Sequence, residues 1–160
     1  MDKLWAPWRV NYVQSKKGRG CVFCQGLKNP DKNYVVFKTG YSFCILNIYP
    51  YNNGHLMVGP LRHVADTSRL KEDEALDLFR SLNQAKKILD KILKPQGYNL
   101  GINLKAVAGA GVAGHLHIHI VPRWKGDTNF MPVLAKTKVI SQSLKELYKQ
   151  LKDEYKKTGS

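Results

Sequence analysis

The chain has 160 residues, 43% of them apolar, which suits one domain with a real core. No apolar run approaches the roughly 20 residues of a membrane-spanning helix, so no membrane partner is expected. The balance of 26 basic against 12 acidic residues gives a net charge of +14. A field of that sign gathers nucleotides, polyphosphates or nucleic acid, although a basic solvated surface explains it equally well.

The opening residues Met1-Asp2-Lys3-Leu4-Trp5 lack the apolar stretch of a secretory signal, so the expected compartment is the cytoplasm. Thiols there stay reduced, which favours metal binding or burial over disulfides. Residues 1–20 read as an arm, with Trp5, Trp8 and Tyr12 set among Pro7, Arg9 and Lys16-Lys17-Gly18-Arg19-Gly20. Aromatics in an arm usually dock on the domain or on a partner. Residues 34–38 and 42–47 are β-branched and aromatic around Thr39-Gly40, the pattern of a hairpin. Residues 50–54 form a loop, residues 55–58 a third strand, and Pro60 ends it.

Residues 70–93 give the clearest helix, with Ala75, Leu78, Phe79, Leu82, Ala85, Leu89, Ile92 and Leu93 recurring at three and four. Thr67 or Ser68 is expected to cap it and Pro95 to stop it. Two further strands, 97–104 and 115–121, flank a connection containing Gly109-Ala110-Gly111. A last helix over 140–155 places Ile140, Leu144, Leu147, Leu151 and Tyr155 on one seam and Lys145, Lys149, Lys152 and Lys156 on its other face. Its lysines are expected to be solvated. This order predicts an α+β fold, with a five-stranded antiparallel sheet, a long helix on one face and a C-terminal helix. One domain over 1–160 is expected, with residues 125–160 as a C-terminal extension.

The stretch Gly114-His115-Leu116-His117-Ile118-His119-Ile120-Val121-Pro122-Arg123-Trp124 carries most of the chemistry. On a strand, its three histidines share one face and its apolar residues share the other. Three titratable rings make a poor core and a good phosphate or metal site. A nucleophilic imidazole attacks through one nitrogen while the other holds its proton on an acceptor. The central ring, His117, is best placed to attack, with His115 and His119 flanking it. Gly109-Ala110-Gly111 allows close backbone approach to phosphate oxygens, though a Gly-Ala-Gly alone is more often a turn.

Cys21-Val22-Phe23-Cys24 is a second constellation, since thiols at that spacing can share a zinc ion. Cys44 falls in a predicted strand and reads as a buried apolar residue. Histidines must complete the site, from His55, His63, His115, His117 and His119. A set of Cys21, Cys24, His63 and His115 would pin the N-terminal segment to the sheet. The competing reading is an inert or redox pair.

Residues 115–123 resemble the signature of the histidine triad (HIT) superfamily of nucleotide hydrolases and transferases. Asn53-Gly54-His55-Leu56-Met57-Val58-Gly59-Pro60 and the cysteine pair resemble further parts of its pattern, in the same order. Leu4-Trp5-Ala6-Pro7-Trp8-Arg9, residues 46–52, Ala108-Gly109-Ala110-Gly111 and residues 123–133 are similar to the diadenosine tetraphosphate phosphorylase branch. The resemblance implies that His117 forms a nucleotidyl-histidine intermediate and that His119 binds phosphate. His115 would be both the first histidine of the triad and a ligand to structural zinc with Cys21, Cys24 and His63. His55 would support the site from the neighbouring strand, Asn47 would hold the ribose hydroxyls, and Asn103 with 109–111 would contact phosphates.

Two departures stand out. Val121 and Pro122 occupy the end of the signature where the family often has a polar residue, and Lys105 stands where this branch leads one to expect Gly. Arg123 and Trp124 either close over substrate or pair and pack locally, and Asp127-Thr128-Asn129 either reaches a second nucleotide or caps a turn. The implied activity is cleavage of dinucleoside polyphosphates, with phosphate as acceptor. The alternatives are hydrolysis of such substrates or of nucleoside phosphoramidates, or a zinc-stabilised nucleotide- or RNA-binding module without turnover. A homodimer or tetramer is expected from the family's habit; nucleic acid as partner is not favoured.

Overall fold

A computed structural model of the chain describes residues 20–128, 140 and 142–158. Trp5, Trp8, Tyr12, the motif at residues 4–9 and most of residues 129–141 lie outside the described part. A short helix α1 (Val22–Gly26) precedes strands β1 (Val35–Lys38), β2 (Ser42–Leu46) and β3 (Leu56–Pro60). Helix α2 (Glu72–Ile92), β4 (Gly97–Ile102), β5 (Ile118–Arg123) and α3 (Leu144–Thr158) follow. The five strands form one antiparallel sheet in the order β1-β2-β3-β5-β4. Among the described residues no helix is long and apolar enough to cross a membrane.

Strand alternation decides what each sheet face does. Cys44, Val58 and Ile118 form one cross-strand row, and Leu46, Leu56 and Ile120 form another. Both rows are buried in the core with Leu78, Leu82, Ala85, Ile88 and Leu89 of α2 and Leu147 and Leu151 of α3. The intervening row, Ile45, Met57 and His119, points the other way. Both helices therefore cover one face and leave the histidine face uncovered by them. Cys44 is fully buried, and burial pushes its thiol far up, so it is an inert core residue.

Several predicted boundaries move. The histidine strand starts at Ile118 rather than His115. His115 and His117 lie in the segment leading into it, and the Leu116 N–H donates to the Val64 carbonyl at 2.6 Å. Strand β4 ends at Ile102 rather than Leu104. The long helix starts at Glu72, after a 3₁₀ turn over Thr67–Arg69. That turn is capped by Asp66, whose carboxylate accepts the Ser68 N–H. The α2 start is held instead by Glu74, which accepts the Lys71 N–H at 2.9 Å. Phe79 is 60% exposed, and the seam runs through Ile88 and Ser81 instead. Helix α3 begins four residues after Ile140.

Glu74 is buried and also accepts two hydrogen bonds from Arg62, each 2.7 Å. These bonds, with that from Lys71, hold its carboxyl down at about 2, below its ordinary 4.5. A depressed folded-state value means the pair's stabilisation is complete above 4.5 and is lost as pH falls towards 2. Thermal unfolding across that window is expected to show a falling Tm for the natural protein. Glu74→Gln is expected to flatten that part of the curve, and an unchanged slope would contradict the assignment.

Candidate active site and metal centre

A cavity of about 380 Å³ opens on the histidine face. Ile45, Met57 and His119 form part of its floor, and His117 sits at one side. Val22 and Phe23 of α1, the residues 32–34, and Tyr49, Tyr51, Gly109, Gly111 and Val112 complete the walls. The antiparallel count that pairs Met57 with His119 puts His117 beside Gly59. A Cβ at Gly59 would lie 2.8 Å from both the Leu116 carbonyl oxygen and Phe43 Cζ. Glycine there is what lets the segment carrying His117 run close along β3.

The hydrogen bonds assign the imidazole protons. His117 Nδ1 lies 2.8 Å from the His115 carbonyl oxygen. A carbonyl only accepts, so Nδ1 holds the proton and Nε2 keeps its lone pair. Burial pushes His117 below the ordinary histidine range, against the pull of that hydrogen bond, so the ring is neutral at pH 7. The ring of Phe23 packs against it at 5.0 Å between centroids.

A second chain of bonds fixes His119. The Tyr51 N–H donates to His55 Nδ1 at 3.0 Å, and Asn47 Nδ2 donates to the same nitrogen at 3.2 Å. Neutral His55 must then carry its proton on Nε2, which donates to His119 Nδ1 at 2.9 Å. Neutral His119 in turn carries its proton on Nε2 as a donor. His117 thus holds a lone pair and His119 an N–H, with their ring centroids 4.9 Å apart. A lone pair beside an N–H is an arrangement that can serve nucleophilic attack next to an anion donor.

His115 lies apart from the cavity that the other two rings line, and it is 1% exposed. Its Nε2 lies 2.7 Å from the Pro60 carbonyl oxygen, which leaves Nδ1 as a lone pair. That nitrogen lies 3.3 Å from Cys21 Sγ and 3.5 Å from Cys24 Sγ, and His63 Nδ1 lies 3.4 Å from Cys24 Sγ. The donor atoms of Cys21, Cys24, His63 and His115 all fall within 4.8 Å of one another. Two sulfurs and two imidazole nitrogens are a zinc donor set, and the carbonyl behind His115 is the outer partner that orients a metal-binding ring. Burial and the adjacent Cys21 thiol push Cys24 up, and a bound cation would favour its thiolate. The residues fit a structural metal ion. Helix α1 was not predicted, yet it is what brings the two thiols of residues 21 and 24 to one side.

The other predicted residues divide. Gly109 and Gly111 line the cavity, and Gly109 takes φ 89°, a left-handed turn open to glycine. Ala110 is half-buried between them. Asn103 is half-buried but does not line the cavity. Asn47 lines it, though its Oδ1 accepts the Tyr49 N–H at 2.9 Å and its Nδ2 serves His55, leaving one N–H and one lone pair for a ligand. His55 is fully buried and meets the cavity only through its bond to His119. Lys105 takes φ 67°, which explains an expectation of glycine at that position, and its side chain is exposed. Arg123 is engaged by a two-pronged pair with Asp127 and by Asn99. Asp127 also accepts the Trp124 N–H, so it caps that turn. Sequence reasoning quoted Phe23 and Tyr51 within motifs but gave neither a role at the site, and it missed the wall 32–34.

The HIT domain profile matches residues 28–126. The chain belongs to the HIT domain family. An AP-4-A phosphorylase of Mycobacterium tuberculosis is 34% identical over 165 residues, which cover 97% of this chain and 85% of that protein. An asymmetrical bis(5'-nucleosyl)-tetraphosphatase of Schizosaccharomyces pombe is 34% identical over 100 residues, covering 62% of this chain and 54% of that one. Among solved structures, a hypothetical histidine triad nucleotide-binding protein from Sulfolobus tokodaii superposes with a TM-score of 0.68 at 28% identity, covering 86% of this chain and 91% of the other. A Zn-bound histidine triad family protein from Mycobacterium smegmatis shares the fold, with a TM-score of 0.71 at 21% identity and coverage of 88% and 96%.

Proposed function

We propose that this HIT protein is an enzyme that cleaves dinucleoside polyphosphates, of which diadenosine tetraphosphate is the type substrate, by nucleotidyl transfer through His117. The observation that carries this reading is the bare Nε2 of a neutral, backbone-anchored His117 at the wall of a nucleotide-sized cavity. Nε2 attacks the α-phosphorus of one nucleotide half. The bond from that phosphorus to the bridging oxygen breaks, and the leaving ATP takes the electron pair. The adenylylated ring still carries its Nδ1 proton and is now cationic. The His115 carbonyl at 2.8 Å faces that proton and stabilises the charge. The His119 Nε2–H and the N–H groups of the 109–111 loop steady the equatorial oxygens. Inorganic phosphate then attacks the same phosphorus and yields ADP and a free, neutral His117.

The apolar end of the signature supports this substrate class. Val121 and Pro122 are buried and offer no acid. A polyphosphate leaving group has a conjugate acid with pKa of about 6 and departs as an anion without help. An amine leaving from a phosphoramidate needs a proton. The AP-4-A phosphorylase relative supports phosphate as acceptor, and the tetraphosphatase relative keeps water, which would give AMP, as the second reading. A binding module without turnover would have no use for the lone pair at His117.

Cys21, Cys24, His63 and His115 would hold a structural zinc ion, which supplies no step because four protein ligands leave no open position. The edge strand β4, with Leu100 and Ile102 exposed, supports a homodimer joined there. Incubation with diadenosine tetraphosphate, with and without phosphate, tests the reading. ADP and ATP in equal amounts, dependent on phosphate, are expected. AMP and ATP regardless of phosphate would make the protein a hydrolase, and no products would exclude both.

A further inference from the structure

We infer that the cavity wall at residues 32–34 receives the nucleoside of a bound nucleotide and that the C-terminal helix α3 positions this wall through Tyr148. The inference rests on the proposed binding of nucleotide in that cavity.

Lys32, Asn33 and Tyr34 line the cavity from the connection between α1 and β1. This connection is a hydrogen-bonded turn rather than a helix or strand. Asn33 bonds back to the Asn29 carbonyl through its N–H at 3.2 Å and its Nδ2 at 2.8 Å, the Val35 N–H donates to the Pro30 carbonyl at 2.9 Å and the Leu46 N–H to the Tyr34 carbonyl at 3.0 Å. Tyr34 itself takes φ 58°, a left-handed conformation that is unfavourable for a bulky L-residue. Such a conformation persists only where the surroundings enforce it, and it gathers at ligand clamps.

Tyr148 supplies the enforcement. Its ring meets the Tyr34 ring edge-on at 5.3 Å and 88°. Its hydroxyl lies 3.1 Å from the Val35 carbonyl and 3.0 Å from Asp31 Oδ1, so the O–H is shared between acceptors on both sides of the wall. Lys152 adds a 2.7 Å bond to Asp31. Asp31 is 81% exposed, and a pair so open to water contributes little alone. The half-buried Tyr148, packed against the core beside Leu147 and Leu151, is the stronger hold. The helix therefore reaches past its own packing seam to fix three residues that face the ligand, and it stands far from His117 in sequence and role.

The test is equilibrium binding of AMP and of tripolyphosphate to the full-length protein, alongside steady-state kinetics with diadenosine tetraphosphate. Tyr148→Leu removes ring and hydroxyl together and is expected to weaken AMP and raise KM by about fivefold to tenfold, the size of one aromatic contact plus one hydrogen bond. Its kcat is expected to stay within about twofold, and tripolyphosphate, which lacks a nucleoside, is expected to bind as before. Tyr148→Phe restores the ring contact and is expected to recover most of the loss. In a Tyr34→Ala background, Tyr148→Leu is expected to cost only the share carried by its hydroxyl, about threefold or less.

An unchanged AMP affinity, an equal loss for tripolyphosphate, or the full Tyr148→Leu effect persisting without the Tyr34 ring would each overturn the inference. If Tyr148→Leu fails to fold, Tyr148→Phe combined with Asp31→Asn carries the test through an expected loss of about threefold for AMP alone. Failure of the natural protein to bind AMP would sink the nucleotide reading itself. Normal binding with indifferent variants would sink only the role of α3.

Discussion

His117→Asn is expected to lower turnover of diadenosine tetraphosphate by about 10⁴-fold or more, the scale of removing an attacking group. Its affinity for AMP is expected to change by less than about threefold, since the ring's contribution to ground-state binding is one wall of a cavity otherwise left intact. The magnitude discriminates between roles. A proton carrier or a binding contact at this position would cost about 10²-fold to 10⁴-fold or less. The structure supports the larger figure, because the proton of His117 is committed to the His115 carbonyl and the nitrogen facing the ligand has none to give. Melting temperature must be read beside the kinetics. His117 is buried against Phe23, so the variant is compared with the natural protein only at temperatures well below both transitions.

Removal of the metal is the second large effect. The protein purified without chelator is expected to carry one zinc ion per chain. Stripping it, or replacing Cys24 with Ser, is expected to lower Tm by about 10 °C, on the basis that an ion held at a thousand times its dissociation constant adds about 4 kcal/mol and that each kcal/mol moves a domain of this size by about 2–4 °C. The geometric reason is that the site joins three otherwise separate pieces: α1, the loop carrying His63, and the segment carrying His115. Helix α1 has five residues and cannot be stable alone. Phe23 on that helix packs on His115, His117 and Phe43, so loosening the clip also loosens the wall beside the attacking ring. Metal content by elemental analysis and Tm by calorimetry report this without reference to activity. A protein with no bound metal and a Tm indifferent to chelator and to Cys24→Ser would leave Cys21 and Cys24 as an inert pair.

The sheet was legible because its strands alternate. Leu116, Ile118 and Ile120 between the histidines announce one buried face and one chemical face, and the core confirms that division. The cysteine pair was legible from its spacing; which of five histidines joins it was named through the family resemblance, and the structure brings the donor atoms of Cys21, Cys24, His63 and His115 within 4.8 Å of one another. What failed were features that depend on neighbours distant in sequence. Nothing in the local pattern stops the histidine strand from starting at His115, because the break arises when the Leu116 N–H turns to Val64. Phe79 fits the helical period, yet its angle on α2 leaves it outside the sheet's footprint. Asp66 and Glu74 displaced Thr67 and Ser68 as caps because a 3₁₀ turn intervenes. Asn47, read as a ligand contact, lines the cavity, but its bonds to His55 and to the Tyr49 N–H were not foreseen. Tyr148 was invisible as a functional residue, since its target, the left-handed Tyr34, is set by tertiary contacts alone.

The most direct test of the account mixes the protein with diadenosine tetraphosphate in the absence of phosphate, quenches within one turnover under conditions that preserve phosphoramidate bonds, and maps the peptides by mass spectrometry. An adenylyl group on the imidazole of His117, discharged as ADP when phosphate is added before the quench, is the predicted result. Steady product formation with no label on that ring, or with the label on another residue, would contradict it.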